Sequence, residues 1–194
     1  MKRADGQRVG FLIFGLLAIG GLWGCKKEHI PSQKAVQTQR QERVLEAAAQ
    51  YKEDIVEILV DDAEFTLYQL RINKLAEQKS GTAAVQTWAK SLLDYEGDAH
   101  RELIELARRY EVLLPEVVSA EKNDQLEKLA TTDSSSFDRR YLHLQVEEYT
   151  DAVEAIAAVL AQTQDDTIRL WADGKRLVLE NCLTEVQEIQ RNLK

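Results

Sequence analysis

Beyond residue 41 the chain is patterned almost throughout by apolar residues at three- and four-residue spacing, the repeat of helices that bury one face. A first helix is expected from about Gln41 to Lys79, with Ile55, Ile58, Leu59, Phe65, Ile72 and Ala76 on one face and Asp62 and Gln69 on the same line. Ser80-Gly81-Thr82 should end it, with Gly81 as a left-handed cap and Thr82 as the next N-cap. A second helix, about Ala83 to Val112, carries Val85, Trp88, Leu92, Ala99, Leu103, Leu106 and Tyr110, and brings Tyr95 and Glu96 to the inward face. Gly97 within it costs about 1 kcal/mol relative to alanine, which suggests close helix packing there. Pro115 should stop this helix, and residues 119–130 read as a short, weakly amphipathic helix in a crossover.

After a loop rich in N-cap residues, Thr131 to Ser136, a third helix is expected to about Ala161. Its face is Phe137, Tyr141, Leu144, Gln145, Ala152, Ile156 and Leu160, with Glu148 and Tyr149 near the same line. A fourth, about Asp166 to Asn192, uses Ile168, Trp171, Val178, Leu179, Cys182, Val186 and Ile189. Four long helices with a longer link between the second and third describe an all-α, ferritin-like four-helix bundle with one crossover.

The first 40 residues follow a different pattern. Lys2, Arg3 and Arg8 precede an apolar run over 10–23, shorter than the roughly 20 residues of a transmembrane helix. Leu22-Trp23-Gly24-Cys25 then resembles the bacterial lipobox, in which the cysteine is acylated before cleavage. Residues 1–24 are thus expected to be a lipoprotein signal peptide, 25–40 a lipidated cysteine and polar tether, and 41–194 the bundle. Lipid attached at Cys25 would hold the domain at a membrane, with Lys26 and Lys27 among the headgroups. Lys26, where aspartate would favour inner-membrane retention, points to the periplasmic face of the outer membrane.

Charge and composition narrow the function classes. From Leu45 onward the chain holds 17 basic and 30 acidic side chains, a net of −13, which argues against a nucleic-acid partner. Two cysteines, Cys25 and Cys182, cannot build a disulfide framework if the first is lipidated. No Gly-x-Ser-x-Gly, phosphate-cradling glycine loop or His-Glu-x-x-His motif occurs.

Several stretches carry a family likeness: Leu75-Ala76, Trp88-Ala89-Lys90-Ser91-Leu92-Leu93, Leu114-Pro115, and above all the ten residues from Phe137 to Val146, with Phe137-Asp138, Tyr141 and Gln145-Val146 as their most specific part. Together they resemble the bacterial envelope family known as domain of unknown function 4142, grouped with ferritin-like four-helix bundles. The resemblance implies a polar bundle centre. Where that family has a glutamate in the first helix this chain has Gln69, and where it has an Asp-His pair in the second this chain has Tyr95-Glu96. The third- and fourth-helix histidines are replaced by Tyr149 and Cys182.

A ferritin-type di-iron site draws on carboxylates and Glu-x-x-His motifs from facing helices, and this chain has no Glu-x-x-His. The expected centre is therefore Gln69, Tyr95, Glu96, Glu148, Tyr149 and Cys182, a hydrogen-bonded polar layer with no catalytic role and no cofactor. The reading is a lipid-anchored module that binds an envelope protein or a small ligand. The alternative is a metal-binding or redox protein with altered ligands, Glu96, Glu148 and Cys182.

Overall fold

The computed structural model describes residues 33–193, and among them every regular element is a helix. Cys25, its neighbours and the signal peptide lie outside the described residues. The helices are α1 (Gln33–Lys79), α2 (Ala83–Tyr110), α3 (Ala120–Ala130), α4 (Ser134–Gln162) and α5 (Asp166–Asn192). None of the described helices is long and apolar enough to cross a membrane.

The chain divides into two units, Met1–Arg43 and Val44–Lys194. In the first, the described residues are helical from Gln33, eight residues before the apolar repeat begins. The stretch expected to be tether is rich in Gln, Lys, Arg and Ala, which favour helix without needing a buried face.

The second unit is a helical bundle whose chain directions follow from its contacts. Asn73, near the end of α1, meets Tyr141 near the start of α4, and Phe65 packs edge-on to Tyr149 with ring centroids 5.8 Å apart. These two helices are antiparallel. Trp88, early in α2, packs against Tyr141 and Tyr149, and Tyr110 at the end of α2 reaches Asp165 just after α4, so α2 and α4 run parallel. Tyr51 and Asp62 of α1 meet Asp165 and Lys175 at the start and middle of α5, so those two run parallel as well. The segment carrying α3 crosses back between the ends of α2 and α4, and seals the bundle with Leu129, which is fully buried.

Local signals set several boundaries. Asp133 caps α4 by accepting from the amides of Ser135 and Ser136, both at 3.1 Å. At the start of α5, Asp165 accepts from the amides of Thr167 at 2.7 Å and Ile168 at 2.9 Å, and from the hydroxyls of Tyr51 and Tyr110. Burial alone would raise the Asp165 carboxyl, but these donors outweigh it and bring it down to about 2.

Three expectations are corrected. Gly81 does not adopt positive φ, so no left-handed glycine ends α1. Among the described residues the left-handed one is Glu111, at φ 57°, where α2 stops before Pro115. The Val112 amide bonds back to the Ala107 carbonyl at 2.9 Å, and both side chains belong to one apolar cluster, a Schellman ending. Gly97 is not at a close approach either: a Cβ there would meet only an Arg101 guanidinium nitrogen, 3.9 Å away.

The core consists of two apolar clusters. The larger contains Tyr68, Ile72, Trp88, Leu92, Phe137, Tyr141, Tyr149 and Leu179, among others. A smaller one gathers Ile55, Leu59, Ala63, Leu103, Ala107, Val112 and Ile168. Between Leu92 and Leu103 on α2 lies Glu96, and between Ile168 and Leu179 on α5 lies Lys175. Glu96 marks the division on α2, whereas on α5 Ala172 of the larger cluster already precedes Lys175.

Candidate functional site

Helical register explains how polar groups reach this interior. On α2 the buried positions run Leu92, Glu96, Leu103, Ala107, so Glu96 stands where a leucine would be expected. On α5 they run Ile168, Ala172, Lys175, Leu179, Cys182, Val186, alternating four and three residues, with Lys175 in register. Thr66, Gln69 and Asn73 of α1 are completely buried. Two separate polar layers result.

The first is neutral. The Asn73 side-chain oxygen accepts from the Tyr141 hydroxyl at 2.6 Å and from Gln145 Nε2 at 2.7 Å, while Asn73 Nδ2 donates to Gln69 Oε1 at 3.2 Å. This joins α1 to α4 through residues with no exposed surface. Gln69, expected at the centre, is here; Asn73, Tyr141 and Gln145 complete the network.

The second is ionisable. Asp62 and Lys175 form an ion pair whose side chains are 11% and 8% exposed. The Lys175 ammonium lies 5.5 Å from the centroid of Phe65 and 5.7 Å from that of Trp171. Beside this pair sits Glu96, 1% exposed, with neither carboxyl oxygen hydrogen-bonded. The Tyr149 hydroxyl, also buried without a satisfied hydrogen bond, faces it, together with Cys182. Burial raises the Glu96 carboxyl to about 8; Lys175 opposes the shift, Asp62 adds to it, and Tyr149 opposes it weakly. At neutral pH Glu96 therefore keeps its proton.

The same surroundings silence the sulfur. Burial first, and then the Glu96 and Glu185 carboxylates, push the Cys182 thiol up to about 12, so thiolate is scarce at neutral pH. Tyr95 is half-buried, and its phenol is raised by burial and by Glu96. Tyr149 is raised by burial ahead of any charge.

Glu148 corrects the expected centre. It belongs to neither layer: both its oxygens are held by Lys122 of α3, at 2.6 and 2.7 Å. Burial raises its carboxyl, and that lysine works against the shift. Glu148 and Tyr149 are consecutive, about 100° apart on a helix, so only one can face the layer around Glu96. The proposed ligand set Glu96, Glu148 and Cys182 is thus not assembled.

Asn73 and Lys175 were missed although the register contains them. Each sits three or four residues from a buried neighbour on its own stripe, Ala76 and Leu179 respectively. The signal was spacing, and their polarity hid it.

These residues do not fit a ferritin-type di-iron centre. Around Glu96 are one carboxyl that retains its proton, a protonated thiol, two phenols, and an aspartate already paired with lysine. Among the described residues no three His, Cys, Asp or Glu side chains are grouped to hold a metal ion.

Comparison with known proteins places the chain. No curated protein matches it. Among solved structures it is similar to the crystal structure of a DUF305 fragment from Deinococcus radiodurans, with a TM-score of 0.64 and 14% identity, over 71% of this chain and 95% of that one. At that identity the likeness speaks for the helical fold alone. The family model described as "Domain of unknown function (DUF4142)" matches residues 39–189, most of the chain and both polar layers. The chain belongs to the DUF4142 family.

Proposed function

We propose that this is an envelope lipoprotein, tethered through lipid on Cys25 to the periplasmic face of the outer membrane, whose ferritin-like four-helix bundle binds a partner rather than catalysing a reaction. The helix directions support the bundle assignment: α1 and α5 run one way and α2 and α4 the other, with the α3 segment as the single long crossover. The lipobox resemblance supports the anchor. One observation carries the binding role. The ionisable layer is enclosed, with Glu96 1% exposed and Tyr149 fully buried, and its acid and thiol both retain their protons at neutral pH. A group that substrate cannot reach turns nothing over. Recognition then falls to the surface.

Metal analysis of the purified chain, after expression with iron, manganese and zinc, tests this reading. The expected result is metal well below one equivalent. Stoichiometric metal that disappears in Glu96→Ala would overturn it in favour of a redox or metal-handling protein. For the anchor, Cys25→Ala should abolish acylation and release the domain from the membrane fraction.

A further inference from the structure

A concave surface lies at the end of the bundle where α3 finishes and α4 begins. It is an open groove of about 740 Å³, within the range of small-molecule sites. Its charged lining is Lys128 from α3 with Arg139, Arg140 and His143 from the first three turns of α4, against a single carboxylate, Asp133; Gln190 of α5 closes one side. Three permanent cations in one groove are unexpected on a body whose net charge from Leu45 is −13.

What the neighbouring groups already do sharpens the site. Asp133 is occupied in capping α4, accepting from the Ser135 and Ser136 amides and the Ser135 hydroxyl. Those amides are consequently not available to a ligand, and the groove must bind through side chains. His143 is 3.4 Å from Glu147, an exposed pair that leaves it a secondary contributor. Lys128, Arg139 and Arg140 have no carboxylate within ion-pairing distance among the described residues, whereas Arg101 and Arg108 each have one and Arg176 has two. Lys79 donates to the carbonyls of Ala130 and Thr132. The backbone it braces carries Thr131 and Thr132, which also line the groove.

We infer that this groove binds a phosphate-bearing anion, with Arg139 and Arg140 gripping its oxygens and Lys128 neutralising the remaining charge. Planar guanidinium groups match the oxygen geometry of a phosphate, and adjacent arginines on one helix turn present two donor forks. The acidic remainder of the domain repels such a ligand elsewhere, which makes this groove the favoured landing point. The inference deepens the binding role proposed above and rests on it.

Calorimetric titration of the full chain in detergent with pyrophosphate, at low ionic strength, tests it. Saturable single-site binding is expected, and it should weaken about tenfold or more in Arg139→Ala/Arg140→Ala while the thermal midpoint stays unchanged, because both side chains are exposed. Arg139→Lys/Arg140→Lys should keep charge but regain only part of the affinity. Phosphatidylcholine vesicles with and without phosphatidylglycerol separate the two sources of phosphate. Arginine-dependent retention on the charged vesicles identifies a lipid headgroup, and pyrophosphate binding without retention identifies a free ligand. Absence of saturable binding in both arms, or binding unchanged in the double alanine variant, overturns the proposal. The metal analysis reads Glu96 and this titration reads Arg139 and Arg140, so failure of one is distinguishable from failure of the other.

Discussion

The two buried polar layers solve the same problem differently. Around Asn73 the groups are neutral, and the Asn73 oxygen accepts two hydrogen bonds from across the bundle. Around Glu96 they are ionisable; one charge is cancelled by pairing Asp62 with Lys175, and the other by leaving a proton on Glu96. A neutral network holds its geometry at any ordinary pH. An ionisable layer holds only while its proton and its ion pair persist, so the two halves of the core should respond differently to pH and to substitution.

The largest effect is expected from the ion pair. Lys175→Met leaves Asp62 buried without its partner and should cost about 3 to 5 kcal/mol in denaturant unfolding. It also removes the cation that favours ionised Glu96, so the pH at which Glu96 titrates should rise. Asp62→Leu combined with Lys175→Met should recover most of the loss, since an apolar pair avoids the desolvation of both charges. A double variant as unstable as the single one would mean the pair contributes more than mutual cancellation.

Glu96→Gln comes next. The Glu96 carboxyl is raised in the folded state from an ordinary 4.5 to about 8, so the native protein holds a proton that the unfolded chain has released over that interval. Its stabilising effect is complete below about pH 4.5, falls as pH rises, and is gone above about 8. The slope is about 1 kcal/mol per pH unit, so wild type should lose about 3 kcal/mol between pH 5 and 8 relative to Glu96→Gln. The variant should therefore be the more stable protein at pH 8. Parallel stability curves for the two proteins would show that Glu96 is solvated. The groups facing it are Lys175 and Asp62, with Tyr149, Cys182 and Tyr95.

How far the sequence reached depends on which physical term decided each feature. Helices followed from periodicity because burial of one face is a repeating demand, and the elements lie close to where the apolar spacing put them, except that α1 begins eight residues earlier. Glu96 was legible for the same reason, as a carboxylate in a leucine register. Lys175 occupies an equivalent register, but a long cationic side chain can reach water from a core position, so spacing alone left it unread. Glu148 failed for another reason. Periodicity could not choose between it and Tyr149, and the choice is made by Lys122, which approaches from a helix 26 residues earlier in the chain. The turn after α2 was misjudged because proline looked like the stop, whereas a left-handed Glu111 ends the helix first.

The smallest effect should come from the neutral layer, and its form matters more than its size. Asn73→Leu removes the acceptor for the Tyr141 hydroxyl and Gln145 Nε2, and the partner bonded to Gln69. Leucine keeps the branching of asparagine at Cγ but is larger, so the loss of hydrogen bonding to groups that stay buried, about 2 kcal/mol, comes with some repacking of the site. None of the three partners changes charge near neutral pH: burial holds the Tyr141 phenol far above its ordinary range, and the glutamines do not titrate. The loss should therefore be the same at pH 5 and pH 8, measured by urea unfolding at each. A loss that grows with pH would mean the layers are coupled through the α1 and α4 backbones, and that the neutral network helps to position Tyr149 against Glu96.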